Sequence, residues 1–223
     1  MLRLMLYEYL VTITPSASIC LDIMKMKHQC MVDYNWHWAI KSHPHITLSN
    51  FIQPLSYENR IINRYKSLAS SATPFTIYLS GFGCFPAHTI YVDLAYNEQI
   101  FEIAKNIKLF TPTIFKKIRD YRPHVVSEPH VTIAKGILEA EFYKAWPTWE
   151  KKEYRAQFMA DRVQVLRRPF SEIQQKYEVI GDFPFAGLGF VNPQLKCFET
   201  KKPLYFRKAA CVARRGIEPL FEE

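Results

Sequence analysis

The sequence predicts an α+β fold built as two sheet-containing lobes around a cleft. Three observations lead there. Apolar periodicity alternates between strand and helix in the order β-α-β-α-β-β-α-β-α-β-β, which repeats a small β/α unit. The pentapeptide PHITL (44–48) returns, 85 residues on, as PHVTI (129–133). With 223 residues, 48% of them hydrophobic, the chain can form one large domain or two small lobes that share a cleft.

Residues 8–15 (EYLVTITP) are rich in β-branched and aromatic side chains and stop at a proline, so they read as a buried strand. Ser16 or Ser18 can cap a helix running to about Tyr34 through Ile19, Ile23 and Met26. Residues 45–51 form a short strand. Residues 56–71 carry Ile61, Ile62, Tyr65 and Leu68 at helical spacing. Residues 74–82 and 89–96 read as strands, joined by a loop that contains Gly83 and Pro86. Residues 97–110 are helical by pattern, with Asn97 as the cap. Residues 130–137 form a strand, and 139–154 a helix interrupted at Pro147. Residues 158–168 and 176–185 close the domain as a pair of strands. The domain is expected to span 1–186, and 187–223 to be a basic C-terminal extension, with Lys196, Lys201, Lys202, Arg207, Lys208, Arg214 and Arg215.

A formal charge of +8 and a pI near 9.2 favour anionic partners, among them phosphates and nucleic acid. The five cysteines include no CxxC pair, which points to reduced thiols and a cytoplasmic protein rather than a disulfide framework or a zinc site. The apolar N-terminus resembles a signal peptide, but Glu8 interrupts it and YLVTI suits a strand. No run approaches the roughly 18 apolar residues of a membrane span, so no membrane partner is expected. The chain is expected to act as a monomer.

The repeated pentapeptide carries the chemistry. In a strand, residues i and i+2 share a face. His45 and Thr47 therefore point one way and Ile46 and Leu48 the other; His130 and Thr132 pair in the same manner, backed by Val131 and Ile133. Pro44 and Pro129 stand at strand entry, where a missing donor is tolerated. Two imidazoles near neutral pH can divide the work of base and acid, and two hydroxyls can donate to the non-bridging oxygens of a phosphate. The pattern thus supplies acid, base and phosphate clamp with no metal and no other cofactor.

PHITL and PHVTI resemble the paired HxT motifs of the two-histidine (2H) phosphoesterase superfamily, which includes 2′-5′ RNA ligase-like proteins and cyclic phosphodiesterases. The stretch FTIYLSGFGCFPAHTIYVDL (75–94) is similar to that family's middle pair of strands around a phenylalanine-proline turn. The resemblance covers about residues 7 to 186. It implies a bilobal, pseudo-twofold α+β fold with one motif strand from each lobe facing the cleft. It also implies metal-independent phosphodiester chemistry at His45, Thr47, His130 and Thr132 on an RNA or nucleotide substrate. Many relatives have an arginine shortly after the phenylalanine-proline turn, where this chain has His88.

Further substrate contacts are expected from Phe85 on the turn, Tyr91, Lys135, Arg122 and His43. Lys135 would face away from His130 in an ideal strand and reaches the site only if the strand bends or ends. Phe51 and Phe82 are weaker aromatic candidates. His43, His45, His88, His124 and His130 lack a carboxylate or cysteine at ligand spacing, so no metal site is expected. The alternative reading is a non-catalytic RNA-binding module of the same fold.

Overall fold

The computed structural model describes residues 5–118, 121–171 and 175–188. In chain order the elements are β1 (Leu6–Ile13), α1 (Ala17–Tyr34), β2 (Ile46–Pro54), α2 (Glu58–Ser71), β3 (Phe75–Phe85), β4 (Thr89–Leu94), α3 (Glu98–Ile114), β5 (His124–Val125), β6 (His130–Lys135), α4 (Glu139–Glu150), β7 (Arg155–Ala160), β8 (Arg162–Pro169) and β9 (Glu178–Pro184). The basic cluster of the extension lies outside the described residues.

The strands form one antiparallel sheet in the order β7-β3-β4-β6-β2-β1-β8-β9, with β5 on β2. It divides into two four-stranded halves, the two expected lobes. They meet where β6 pairs β2 across a single register pair, Ile46 opposite Val131. Helices α1 and α4 pack on the half containing β6, α2 and α3 on the half containing β2. The strand residues that point to the helices are fully buried: Tyr9, Val11 and Ile46 on one half, Ile90, Val92 and Val131 on the other. They share one hydrophobic core with Ile23, Ile61, Ile103 and Phe142 from the four helices.

Local chemistry explains two of the helix ends. Asn35 closes α1 in the left-handed conformation at φ 61°, its amide donating to the end of the helix. Asn97 caps α3 as expected, its side chain accepting from the Ile100 amide at 3.1 Å. Pro147 does not interrupt α4, which runs through it from Glu139 to Glu150. Burial of Phe142, Ala145, Trp146 and Trp149 outweighs the one lost hydrogen bond. Residues 158–168 are two strands, not one. Through Ala160 the chain pairs with β3; from Arg162 it pairs with β9, and from Gln164 also with β1, both in the other half. Alternation shifts by one residue at Asp161 and Arg162, both exposed, so that Phe158 and Ala160 are buried before the break and Val163 and Val165 after it; the shift marks the break but does not name the new partner.

Cys20 and Cys30 are buried free thiols, as expected, but Cys84 is disulfide-bonded, so the expectation of reduced thiols does not hold there. Among the described residues no helix is long and apolar enough to cross a membrane.

Candidate active site

The seam between the halves brings the two motifs together. Because Ile46 and Val131 face each other in an antiparallel pair, extending that register by one residue sets His45 opposite Thr132 and Thr47 opposite His130. Ile46 and Val131 are both 0% exposed on the helix side, so these four side chains share the opposite face, where all four are half-buried. The histidines occupy one diagonal of this square and the threonines the other. Diagonal neighbours in such a pair stand about 7–8 Å apart, a span that admits one phosphate between imidazoles that lean inward.

Each histidine is held alike. His45 Nδ1 lies 2.7 Å from the His43 carbonyl, and His130 Nδ1 2.7 Å from the Glu128 carbonyl. A carbonyl only accepts, so both Nδ1 atoms carry the proton and donate. In the neutral ring this leaves the Nε2 lone pair available on both sides of the seam.

A second repetition lies just past the threonines. On β2 the pairing with β1 skips Leu48, since Thr47 opposes Thr12 and Ser49 opposes Val11. On β6 the pairing with β4 skips Ile133, since Thr132 opposes Tyr91 and Ala134 opposes Ile90. Each motif strand therefore carries a β-bulge at the residue after its threonine. Leu48 and Ser49 both turn to the core, as do Ile133 and Ala134; none is more than 1% exposed. The next residue returns to the front. This puts Lys135 on the same face as His130 and Thr132, and its charge is felt there. Asn50 takes the matching position on β2.

The surroundings of the two histidines differ. Beside His130 the aromatic rings close in: Tyr91 at 4.7 Å between centroids and Phe85 at 5.0 Å, nearly edge-on. Tyr91 reaches this position by lying across Gly83 on β3. A Cβ at Gly83 would stand 2.4 Å from the Tyr91 ring. Burial, with Asp93 and Glu128 nearby, pushes the Tyr91 hydroxyl up to about 12, so it remains a donor near neutrality. Burial also lowers the pKa of His130, while the Glu128 carbonyl and the Glu128 and Asp93 carboxylates oppose that shift. His45 is lowered by burial too, but there the neighbouring charges, Lys27, His43 and His130, all act in the same downward direction, and only the His43 carbonyl opposes.

Of the residues singled out from the sequence, the seam gathers His45, Thr47, His130 and Thr132, with Phe85, Tyr91, Lys135 and His43 around them. Arg122 is exposed, two residues before β5, and among the described residues no hydrogen bond or ion pair ties it to either histidine. His88 occupies the β3–β4 turn, bonded to the Thr89 hydroxyl. Phe51 and Phe82 are core residues, packed on Tyr65 and Trp149 respectively. Sequence reasoning missed Asp93, Glu128 and Lys27. Asp93 could have been found two residues beyond Tyr91 on the same strand face. Lys27 could have been found as a lysine on the apolar stripe of α1, in step with Ile19, Ile23 and Cys30.

Among curated proteins none matches the sequence. Among solved structures, TT0787 of Thermus thermophilus superposes with a TM-score of 0.59 at 13% identity, covering 81% of this chain and 99% of its own. E. coli LigT in complex with 3′-AMP gives 0.53 at 11% identity, covering 80% and 98%. The NADP+ complex of LigT gives 0.53 at 11%, covering 81% and 99%. At these identities the likeness is one of fold. The profile of the 2′-5′ RNA ligase superfamily matches residues 18–169, a span that holds both histidine motifs and all of α1 but its first residue. The chain thus belongs to the 2′-5′ RNA ligase superfamily, the two-histidine phosphoesterases.

Proposed function

We propose that this protein is a phosphoesterase that acts, without a metal, on a 2′,3′-cyclic phosphate or a 2′-5′-linked ribonucleotide or RNA end. One observation carries the reading: two His-Thr pairs share one sheet face across a single register pair, with both Nδ1 atoms bonded to carbonyls and both Nε2 atoms left for chemistry. The 3′-AMP and NADP+ complexes of LigT add a nucleotide theme.

In the hydrolytic direction His45 Nε2 takes a proton from water, and the water oxygen forms a bond to phosphorus. The bond from phosphorus to the leaving ribose oxygen breaks, and protonated His130 gives that oxygen its proton. The hydroxyls of Thr47 and Thr132 donate to the non-bridging oxygens, on which charge accumulates. In the ligation direction the two histidines exchange roles. The neighbouring charges favour this division. The charges acting on His45 are all cationic, which supports a neutral base, whereas beside His130 the Glu128 and Asp93 carboxylates offset Lys135 and support a protonated acid.

The test is turnover of 2′,3′-cyclic nucleoside monophosphates and a short 2′-5′ oligoadenylate in EDTA, on wild type, His45→Ala and His130→Ala. Loss of about a hundredfold or more in kcat is expected in each variant with the fold intact. A variant that keeps most of its turnover would overturn the assignment. Salt-sensitive RNA binding with no product, unchanged in His45→Ala, would make the protein a binding module instead.

A further inference from the structure

Beneath His45 lies a charge that the proposed reaction does not use. Lys27 on α1 is 1% exposed. Its ammonium donates to the Ala39 carbonyl at 3.2 Å and to the Ser42 hydroxyl at 2.9 Å. Among the described residues no carboxylate is paired with it. A buried ammonium without a counter-ion is costly to fold around. An apolar side chain in step with Ile19, Ile23 and Cys30 would complete the stripe without that cost, so packing alone does not account for a lysine there.

Its two partners belong to the segment that leads from α1 into the first motif. That segment is fixed at three places. Trp36 donates its indole N–H to Glu141 on α4 at 2.9 Å, Trp38 donates to the Lys135 carbonyl at 2.8 Å, and Lys27 fastens residues 39 and 42. The following residue, His43, offers the carbonyl that fixes His45 Nδ1. The charged or titratable groups that act on His45 are Lys27 from α1, His43 from its own segment and His130 from β6. Its pseudo-twofold counterpart has mixed surroundings: the Glu128 and Asp93 carboxylates favour the charged ring, and Lys135 on the same strand opposes them. The fold repeats the histidine but not the balance of charge around it: a lysine acts on each ring, and only His130 has carboxylates to offset it.

We propose that Lys27 is a positioning residue for His45: it fastens the segment that presents the His43 carbonyl to Nδ1, and its buried positive charge keeps the imidazole neutral and ready to accept a proton. This rests on the phosphoesterase reading for its catalytic consequence, but not for its physical one. Burial pushes the Lys27 ammonium down to about 8, with Cys30 the one neighbouring group opposing; the Cys30 thiol, raised to about 12 by burial, does not titrate in that range. The charge therefore leaves His45 as pH rises past about 8.

The experiment follows the imidazole nitrogens of His45 and His130 by 15N NMR from acid to alkaline pH, on the full chain, in wild type, Lys27→Met and Ser42→Ala. His45 and His130 are assigned by their loss in the alanine variants. Lys27→Met is expected to raise the His45 midpoint and leave that of His130 in place. Ser42→Ala, which keeps the charge, is expected to leave both midpoints and lower kcat several-fold. An unmoved His45 midpoint in Lys27→Met, or equal movement of both histidines, overturns the proposal. So does a Ser42→Ala shift as large as that of Lys27→Met. Should Lys27→Met not fold, wild type decides. A second inflection near pH 8 at His45 and absent at His130 supports the proposal, and its absence at His45 overturns it. The acidic limb of kcat/KM for cyclic-nucleotide hydrolysis is expected to move with the NMR midpoint. Wild type without turnover would sink the phosphoesterase reading, while the NMR midpoints would still decide the role of Lys27.

Discussion

Gly83 offers a measurement of how tightly the His130 side of the site is built. Its Cβ, if present, would stand 2.4 Å from Cε2, 2.6 Å from Cζ and 2.7 Å from the hydroxyl of Tyr91. Carbon atoms in contact keep about 3.5–4.0 Å, so in Gly83→Ala the ring must retreat by roughly 1 Å. It has little freedom to do so. Phe85 lies 4.9 Å from it on one side and His130 4.7 Å on another. Gly83 does not adopt a positive φ, so the alanine backbone itself is unstrained and the whole effect falls on the ring. Overpacking of this kind costs about 1–3 kcal/mol, which for a chain of this size lowers Tm by roughly 2–4 °C per kcal/mol. A displacement of about 1 Å next to a reacting group lowers kcat by up to about a hundredfold. The assay is a double-mutant cycle of Gly83→Ala with Tyr91→Ala, read by thermal melting and by turnover of a 2′,3′-cyclic nucleotide. Alanine at 83 should cost little once the ring is gone. An equal cost in both backgrounds would refute the reasoning, because the obstacle would then not be Tyr91.

Two further outcomes follow from the charges. Burial lowers both seam imidazoles, so if they are the proposed base and acid, kcat/KM, which reports the free enzyme, should peak below pH 6.5; a maximum well above neutrality would contradict that assignment. Glu8 is half-buried against Arg168, 2.7 Å from its Nε. Burial alone would raise its carboxyl, but hydrogen bonds from Asn50, Arg168 and Tyr177 outweigh it and hold the pKa below the usual glutamate value. Its stabilisation is therefore complete above about pH 4.3 and lost as pH falls through the lowered value. Glu8→Gln should cost about 2–3 kcal/mol near neutral pH, somewhat under the range for a fully buried pair, and melting curves should show the gap from wild type narrowing below about pH 4.

The motifs were legible because chemistry and periodicity coincide in five residues. His45 and Thr47 must share a face, and a second copy in the same chain needs a partner. What the sequence does not display is the pairing of distant strands. The break in alternation at Asp161 and Arg162 does not tell that Ala160 belongs to β3 and Val165 to β1. Ideal alternation misplaces Lys135 for a related reason: the bulge at Ile133 is created by the register with β4, not by any residue type within β6. Lys27 escaped because a lysine on a helix is ordinarily solvated, and only the packing of residues 39–42 over α1 buries it. Pro147 shows the reverse error, a strong local signal overruled by the core that α4 fills.

The paired bulges have one more consequence. Each forms a small step in its strand, after which the front of the sheet is occupied by a residue that simple alternation would have hidden. Up to that step the halves match: histidine, threonine, the same carbonyl at the same distance. Beyond it they part company, with an ammonium at Lys135 in one half and an amide at Asn50 in the other. A symmetric seam thus has unlike ends, and the cleft has a direction of its own.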